Sequence, residues 1–107
     1  MANNFSSANS RLANNSLTTV VSTTSNKQIM IGCLVSNTGS AAINVDVVLN
    51  DGSNDRYLVK EAPVPVGGAL EVVQGKVVIV SGGAVKVKSS DSSGNADVVI
   101  SLLTDIA

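Results

Sequence analysis

Apolar and polar residues alternate along most of this chain. The cleanest case is "AAINVDVVLN", where Ile43, Val45, Val47 and Leu49 fall on one side of an extended chain and Asn44 and Asp46 on the other. Patterning with period two predicts a half-buried β-strand. Similar short runs recur from Leu17 onward: "LTTVVSTT", "KQIMIGCLVS", "RYLVKEA", "ALEVV", "KVVIV", "AVKVKSS" and "ADVVISLL". Turn chemistry separates them, in "NTGS", "NDGSND", Gln74-Gly75, Ser81-Gly82-Gly83 and "SDSSGN". Asp51-Gly52 reads as the turn of a hairpin. About eight strands at a spacing of roughly ten residues predict an all-β fold, an antiparallel β-sandwich that is Ig-like or jelly-roll-like.

Two runs depart from simple alternation. In "QIMIGCLVS", Ile29, Ile31, Cys33 and Val35 share one face, while Met30 and Leu34 make the other face apolar too, with Gly32 between them. "ADVVISLL" repeats this more weakly, setting Val98, Ile100 and Leu102 against Val99 and Leu103. The outer face of a monomeric sandwich is polar. These strands are therefore expected either to be covered by the N-terminal segment or to lie at a subunit contact, and the second option is favoured. The other departure is "EAPVPVGGAL". Proline cannot donate to a ladder, and glycine weakens one. Pro63, Pro65, Gly67 and Gly68 thus predict a structural crossover between sheets, with Val64 and Val66 plugging the open end of the core.

Residues 1–16 are mainly Asn, Ser and Ala, too polar to fold alone. They are expected to form a polar N-terminal arm, either loose or ordered across a partner subunit, ahead of a β-sandwich domain over residues 17–107. Phe5 is a lone aromatic in that arm and a natural anchor for a neighbour's pocket. With Arg11, Leu12, Met30 and Leu34 it makes up the expected protein interface.

Composition narrows the chemistry. The chain has 107 residues, 44% hydrophobic and only 2% aromatic, which suits one domain with a Val-rich core. Charged residues are 14% for a net charge of −1, without a Lys/Arg cluster, so nucleic acid is not an expected partner. No apolar run is long enough for a membrane helix, and the N-terminus lacks the pattern of a signal peptide. Histidine is absent and Cys33 is the single cysteine, which removes the usual general base and the usual zinc ligands. Cys33 reads as a small buried hydrophobe. Asp46 and Glu71 occupy outward strand positions, where carboxylates are solvated or ion-paired. Asp51 with Asp55, and Asp91 with Asp97, leave a calcium loop as a minor alternative, although neither pair has EF-hand spacing. No catalytic residue, cofactor or metal is expected.

"VSNTGSAAINVDVVL", "YLVKEAPVPVGGALEVV", "GKVVIVSGGAVKVKSS" and "ADVVISLL" together resemble small virion structural proteins of tailed bacteriophages. The most specific part is Tyr57 through Gly67, and the chain departs from the pattern at Glu61, Gly68 and Ser81-Gly82-Gly83. The resemblance implies an Ig-like or related β-sandwich from a head-decoration or tail-associated protein, without an enzymatic site. The expected function is that of a capsid decoration, or cement, protein that bridges capsomers of an assembled shell. Its expected partner is the major capsid protein. A homo-oligomer is expected, with a trimer among the options, in the virion after synthesis in the host cytoplasm. A tail-, neck- or fibre-associated module is the alternative; a cellular adhesion or ligand-binding sandwich is the reading from another class.

Overall fold

Each alternating run becomes a strand, because β-branched side chains fit a pleated surface better than a helix. The computed structural model describes residues 4–13, 15–23, 26–91 and 93–104. Residues 1–3 and 14 of the expected arm, Thr24 at the end of the first expected strand, and the last three residues of the expected domain lie outside the described residues. The strands are β1 (Asn4–Leu12), β2 (Thr18–Ser22), β3 (Gln28–Asn37), β4 (Ile43–Asn50), β5 (Asp55–Val64), β6 (Ala69–Glu71), β7 (Val77–Ile79), β8 (Ala84–Ser89) and β9 (Ala96–Thr104).

They form two antiparallel sheets that enclose one core. One has the order β1-β9-β3-β6 with β7 also on β3; the other runs β2-β8-β4-β5. Because β6 pairs with Leu34–Ser36 and β7 with Gln28–Met30, the two are halves of one interrupted strand along β3. The pairing then follows a single rule: β1 with β9, β2 with β8, β3 with β6 and β7, β4 with β5. This is one long hairpin rolled up, each arm crossing alternately between sheets, which defines a jelly roll. An Ig sandwich groups its strands differently. Of the two sandwich types expected, the jelly roll is the one formed.

The tip of the long hairpin is the predicted "NDGSND" turn. There the Asp51 carboxylate accepts from the N–H groups of Ser53 (3.0 Å) and Asn54 (2.8 Å). The core is aliphatic, with Leu12, Met30, Val45, Val87 and Ile100 fully buried. Both aromatic residues lie outside it, Phe5 at 80% exposure and Tyr57 at 49%.

The N-terminal segment differs from the expectation. From Asn4 opposite Thr104 to Leu12 opposite Ala96 it pairs residue by residue with β9, so it is the edge strand of a sheet. Its polar composition reflects one solvent-facing side and one open edge. The positions that turn inward, Ala8, Ser10 and Leu12, are small or apolar.

The crossover is shorter than expected. β5 continues through Pro63, opposite Asn44, which an edge strand tolerates. The passage between sheets is the turn from Pro65 to Gly68, closed by the Gly68 N–H donating to the Pro65 carbonyl at 2.9 Å. Gly67 adopts φ +72° there, a value that glycine reaches without strain. Val64 is buried and plugs the core, whereas Val66 is exposed.

Candidate interaction surface

The register of the β1-β9-β3 sheet sets which side chains line its outer face. Phe5 lies opposite Leu103, Leu103 opposite Ile29, and Ile29 opposite Val78, so one apolar row crosses four strands. A second row joins Val99 to Leu34. Val99 is 45% exposed and Leu34 38%, and Ile31 and Val78 are exposed beside them. Charge is sparse on these strands: Arg11, Glu71 and Asp97 are the full set on β1, β3, β6, β7 and β9.

All three charges are engaged within the molecule. Arg11 Nε donates to Asp97 Oδ1 at 2.9 Å and its Nη2 reaches Asp97 Oδ2 at 3.4 Å. The Glu71 carboxylate accepts from the N–H groups of Cys33 (2.7 Å) and Val73 (3.2 Å). It thereby serves the stretch of β3 that the break between β6 and β7 leaves without a strand on the side away from β9. Glu71 was expected to be solvated or ion-paired; it serves instead as an acceptor for two main-chain N–H groups. Cys33 is buried, as expected, and burial, followed by the Glu71 charge, pushes its thiol up to about 12.

The opposite sheet is charged. β4, β5 and β8 carry Asp46, Asp55, Arg56, Lys60, Glu61, Lys86 and Lys88. Lys86 Nζ lies 3.6 Å from Asp55, and Lys60 Nζ sits 5.0 Å from the Tyr57 ring centre. Asp46 is on this outer face, where a solvated or ion-paired carboxylate was expected, but it is only 9% exposed. Its Oδ1 accepts from the Glu61 N–H at 2.6 Å and holds a β-bulge in β5, where Glu61 has φ +53°. Asp46, Glu61 and Lys88 line an open polar depression of about 270 Å³.

The five residues expected at an interface separate. Phe5 and Leu34 lie on the apolar outer face, and Arg11 is at the surface, paired with Asp97. Leu12 and Met30 are fully buried and belong to the core, a correction to the expectation. Leu12 is inward because β1 is part of the sheet. Met30 is inward because β3 bulges between Met30 and Gly32, inserting Ile31 and reversing the alternation before it. Val78 on this face was missed, although the uninterrupted apolar run "KVVIV" carries the signal.

The two loops weighed for calcium use their carboxylates elsewhere. Asp51 caps the hairpin tip, and Asp55 accepts from Asn50 Nδ2 at 2.6 Å. Asp91 Oδ1 accepts from the Ser93 N–H at 3.2 Å, and Asp97 holds Arg11. Among the described residues no three acidic or cysteine side chains gather as a metal-ligand set.

These features define a small jelly-roll domain with one charged and one apolar outer face. No family model and no curated protein matches the chain. Solved structures do. A chain from the acid-stable capsid of Helicobacter pylori bacteriophage KHP30 superimposes with a TM-score of 0.59 at 13% identity, covering 96% of this chain and 86% of that one. A chain of infectious bursal disease virus, Gx strain, gives 0.51 at 14% identity over 96% of this chain and 29% of its own. A pentameric capsid protein from metagenomic phage sequences gives 0.48 at 18% identity over 94% of this chain and 61% of its own. At these identities the likeness to the first two is one of fold alone.

Proposed function

We propose that this chain is a structural component of a phage virion, a capsid decoration protein that docks its apolar sheet face on the assembled shell. The observation that carries the reading is the contrast between the two faces. A band runs from Phe5 through half-buried Leu103 and Ile29 to Val78, and its two ends, with Val99 and Leu34 beside it, are exposed on a sheet whose few charges are already engaged. Uncovered apolar surface of this kind marks an interaction site. The virion assignment draws on the sequence resemblance and on the fold likeness to a phage-capsid chain, which spans most of both chains.

Binding the closed shell and not its separated subunits stabilises the shell by mass action, and repeated identical contacts act multivalently. Phage particles purified from the source of this sequence provide the test. Quantitative mass spectrometry should find the protein at a copy number comparable to that of the shell protein. A low number typical of a ring would assign it to the tail or neck instead, and its absence from particles would end the virion reading.

A further inference from the structure

The four sheet edges of this sandwich are not alike. Unpaired strand edges recruit other strands, and soluble proteins blunt them with prolines, bulges, charges or short length. β5 has Pro63, two register shifts and the charges Asp55, Arg56, Lys60 and Glu61. β2 is five residues long and shifts register between Thr19 and Val21. β6 and β7 are three residues each and interrupted. β1 has none of these devices. It runs nine residues in unbroken register, contains no proline, and has one charge, Arg11, already bound to Asp97.

We propose that β1 is a self-pairing edge: two copies of this chain align their β1 strands antiparallel about a two-fold axis, joining their sheets into one. The sequence of β1 is complementary to itself. Placing Ala8 opposite Ala8 of the second copy overlaps the whole strand. On the outer face Phe5 then faces Arg11 of the second copy, and Ser7 faces Asn9. Arg11 never meets its own copy. Its guanidinium is anchored by Asp97 yet still exposed, which puts a cation within reach of a Phe5 ring that is otherwise 80% exposed. On the inner side Ser6 faces Ser10 and Asn4 faces Leu12, pairs without charge. A contact between identical edges uses both at once, so assembly stops at two and does not grow into a fibre.

The proposal does not depend on the virion reading, and its test uses the pure full-length chain. Sedimentation equilibrium at micromolar to tens-of-micromolar concentration should give a dimer. In Ser7→Lys/Asn9→Lys, like charges face each other across the edge, and dimerisation should weaken roughly tenfold or more. Circular dichroism should stay unchanged, because both side chains point to solvent. Ser7→Asp/Asn9→Asp should weaken in the same way. Mixing the two variants should restore dimers composed of one copy of each. A wild-type monomer, a trimer, or a dimer untouched by both variants would overturn the assignment; so would failure of the mixture to recombine.

Discussion

Asn37 joins more segments than any side chain the sequence pattern singles out. It is 4% exposed, and its amide donates to the carbonyls of Ala41 (2.8 Å) and Val64 (3.1 Å). Its Oδ1 accepts from the Gly39 N–H at 2.9 Å, and its own N–H donates to the Gly68 carbonyl at 3.0 Å. The end of β3, the loop that follows, the end of β5 and the crossing turn thus meet at one residue. Asn37→Ala leaves the Val64 carbonyl buried without that donor, which costs about 2 kcal/mol; the urea midpoint should fall accordingly. Glu61 makes the opposite case. At φ +53° it is held in a conformation that glycine adopts without penalty, and its side chain is exposed. Glu61→Gly retains the main-chain bond to Asp46 and should raise stability by about 0.5–1 kcal/mol in the same assay. Cys33 carries a pH signature. Its thiol is raised from 9.0 to about 12, so the folded state favours the protonated form. That contribution is intact below 9.0 and is lost as pH climbs toward about 12. Cys33→Ala should flatten the alkaline fall of stability, at the expense of a small cavity.

Among the elements, β3 shows how one residue decides a strand's phase. Alternation read straight from "QIMIGCLVS" groups Ile29 and Ile31 with Cys33. The inserted Ile31 instead turns Met30 inward opposite Leu102 and leaves Cys33 inward opposite Ile100. Deleting Ile31 would remove the bulge and keep both residues facing the core. Deleting Leu34 would flip half the strand, since a one-residue slip exchanges faces. The chain lacking Ile31 should therefore fold with a cooperative transition, and the chain lacking Leu34 should not; thermal melts of both decide. β1 gives a second prediction. Because Leu12 is buried and β1 covers one edge of β9, removing residues 1–12 should destabilise the domain by several kcal/mol, Leu12 alone contributing about 2–5 kcal/mol. An intact melting temperature after truncation would mean that the segment is a detachable arm after all.

For the molecule as a whole, the division into a charged sheet and an apolar sheet is the feature that gives it direction. Leu34→Lys/Val99→Lys places two cations in the middle of the apolar face, where both side chains already meet solvent. Surface changes of this type leave stability within about 0.5 kcal/mol per site. Binding to purified shells, measured by co-sedimentation, should be lost while the melting temperature holds. Loss of folding in that variant would show that these side chains support the core and not a partner. The pairing of the first strand with the last has a further consequence. Thr104 Oγ1 donates to the Asn4 carbonyl, so closing this sheet joins residues 100 positions apart. Long-range closure of this sort makes folding slow relative to helical domains of similar size.

The all-β class, the strand runs and the hairpin at Asp51–Asn54 were legible in the sequence because they are set by local forces. Period-two alternation and turn propensity act within a few residues. The apolar second faces of the β3 and β9 runs were legible for the same reason, and with them the hint of a contact surface. Which side chains reach it was not. Leu12 and Met30 read as surface anchors because nothing nearby in sequence reveals that β1 pairs with β9 or that β3 bulges at Ile31. The choice of jelly roll over Ig-like sandwich, the capture of Glu71 by a break in the neighbouring strand, and the sorting of charges onto one sheet arise from pairings between distant strands. Sequence patterning specifies which residues alternate; only the closed sheets determine which neighbour each one meets and which face remains uncovered.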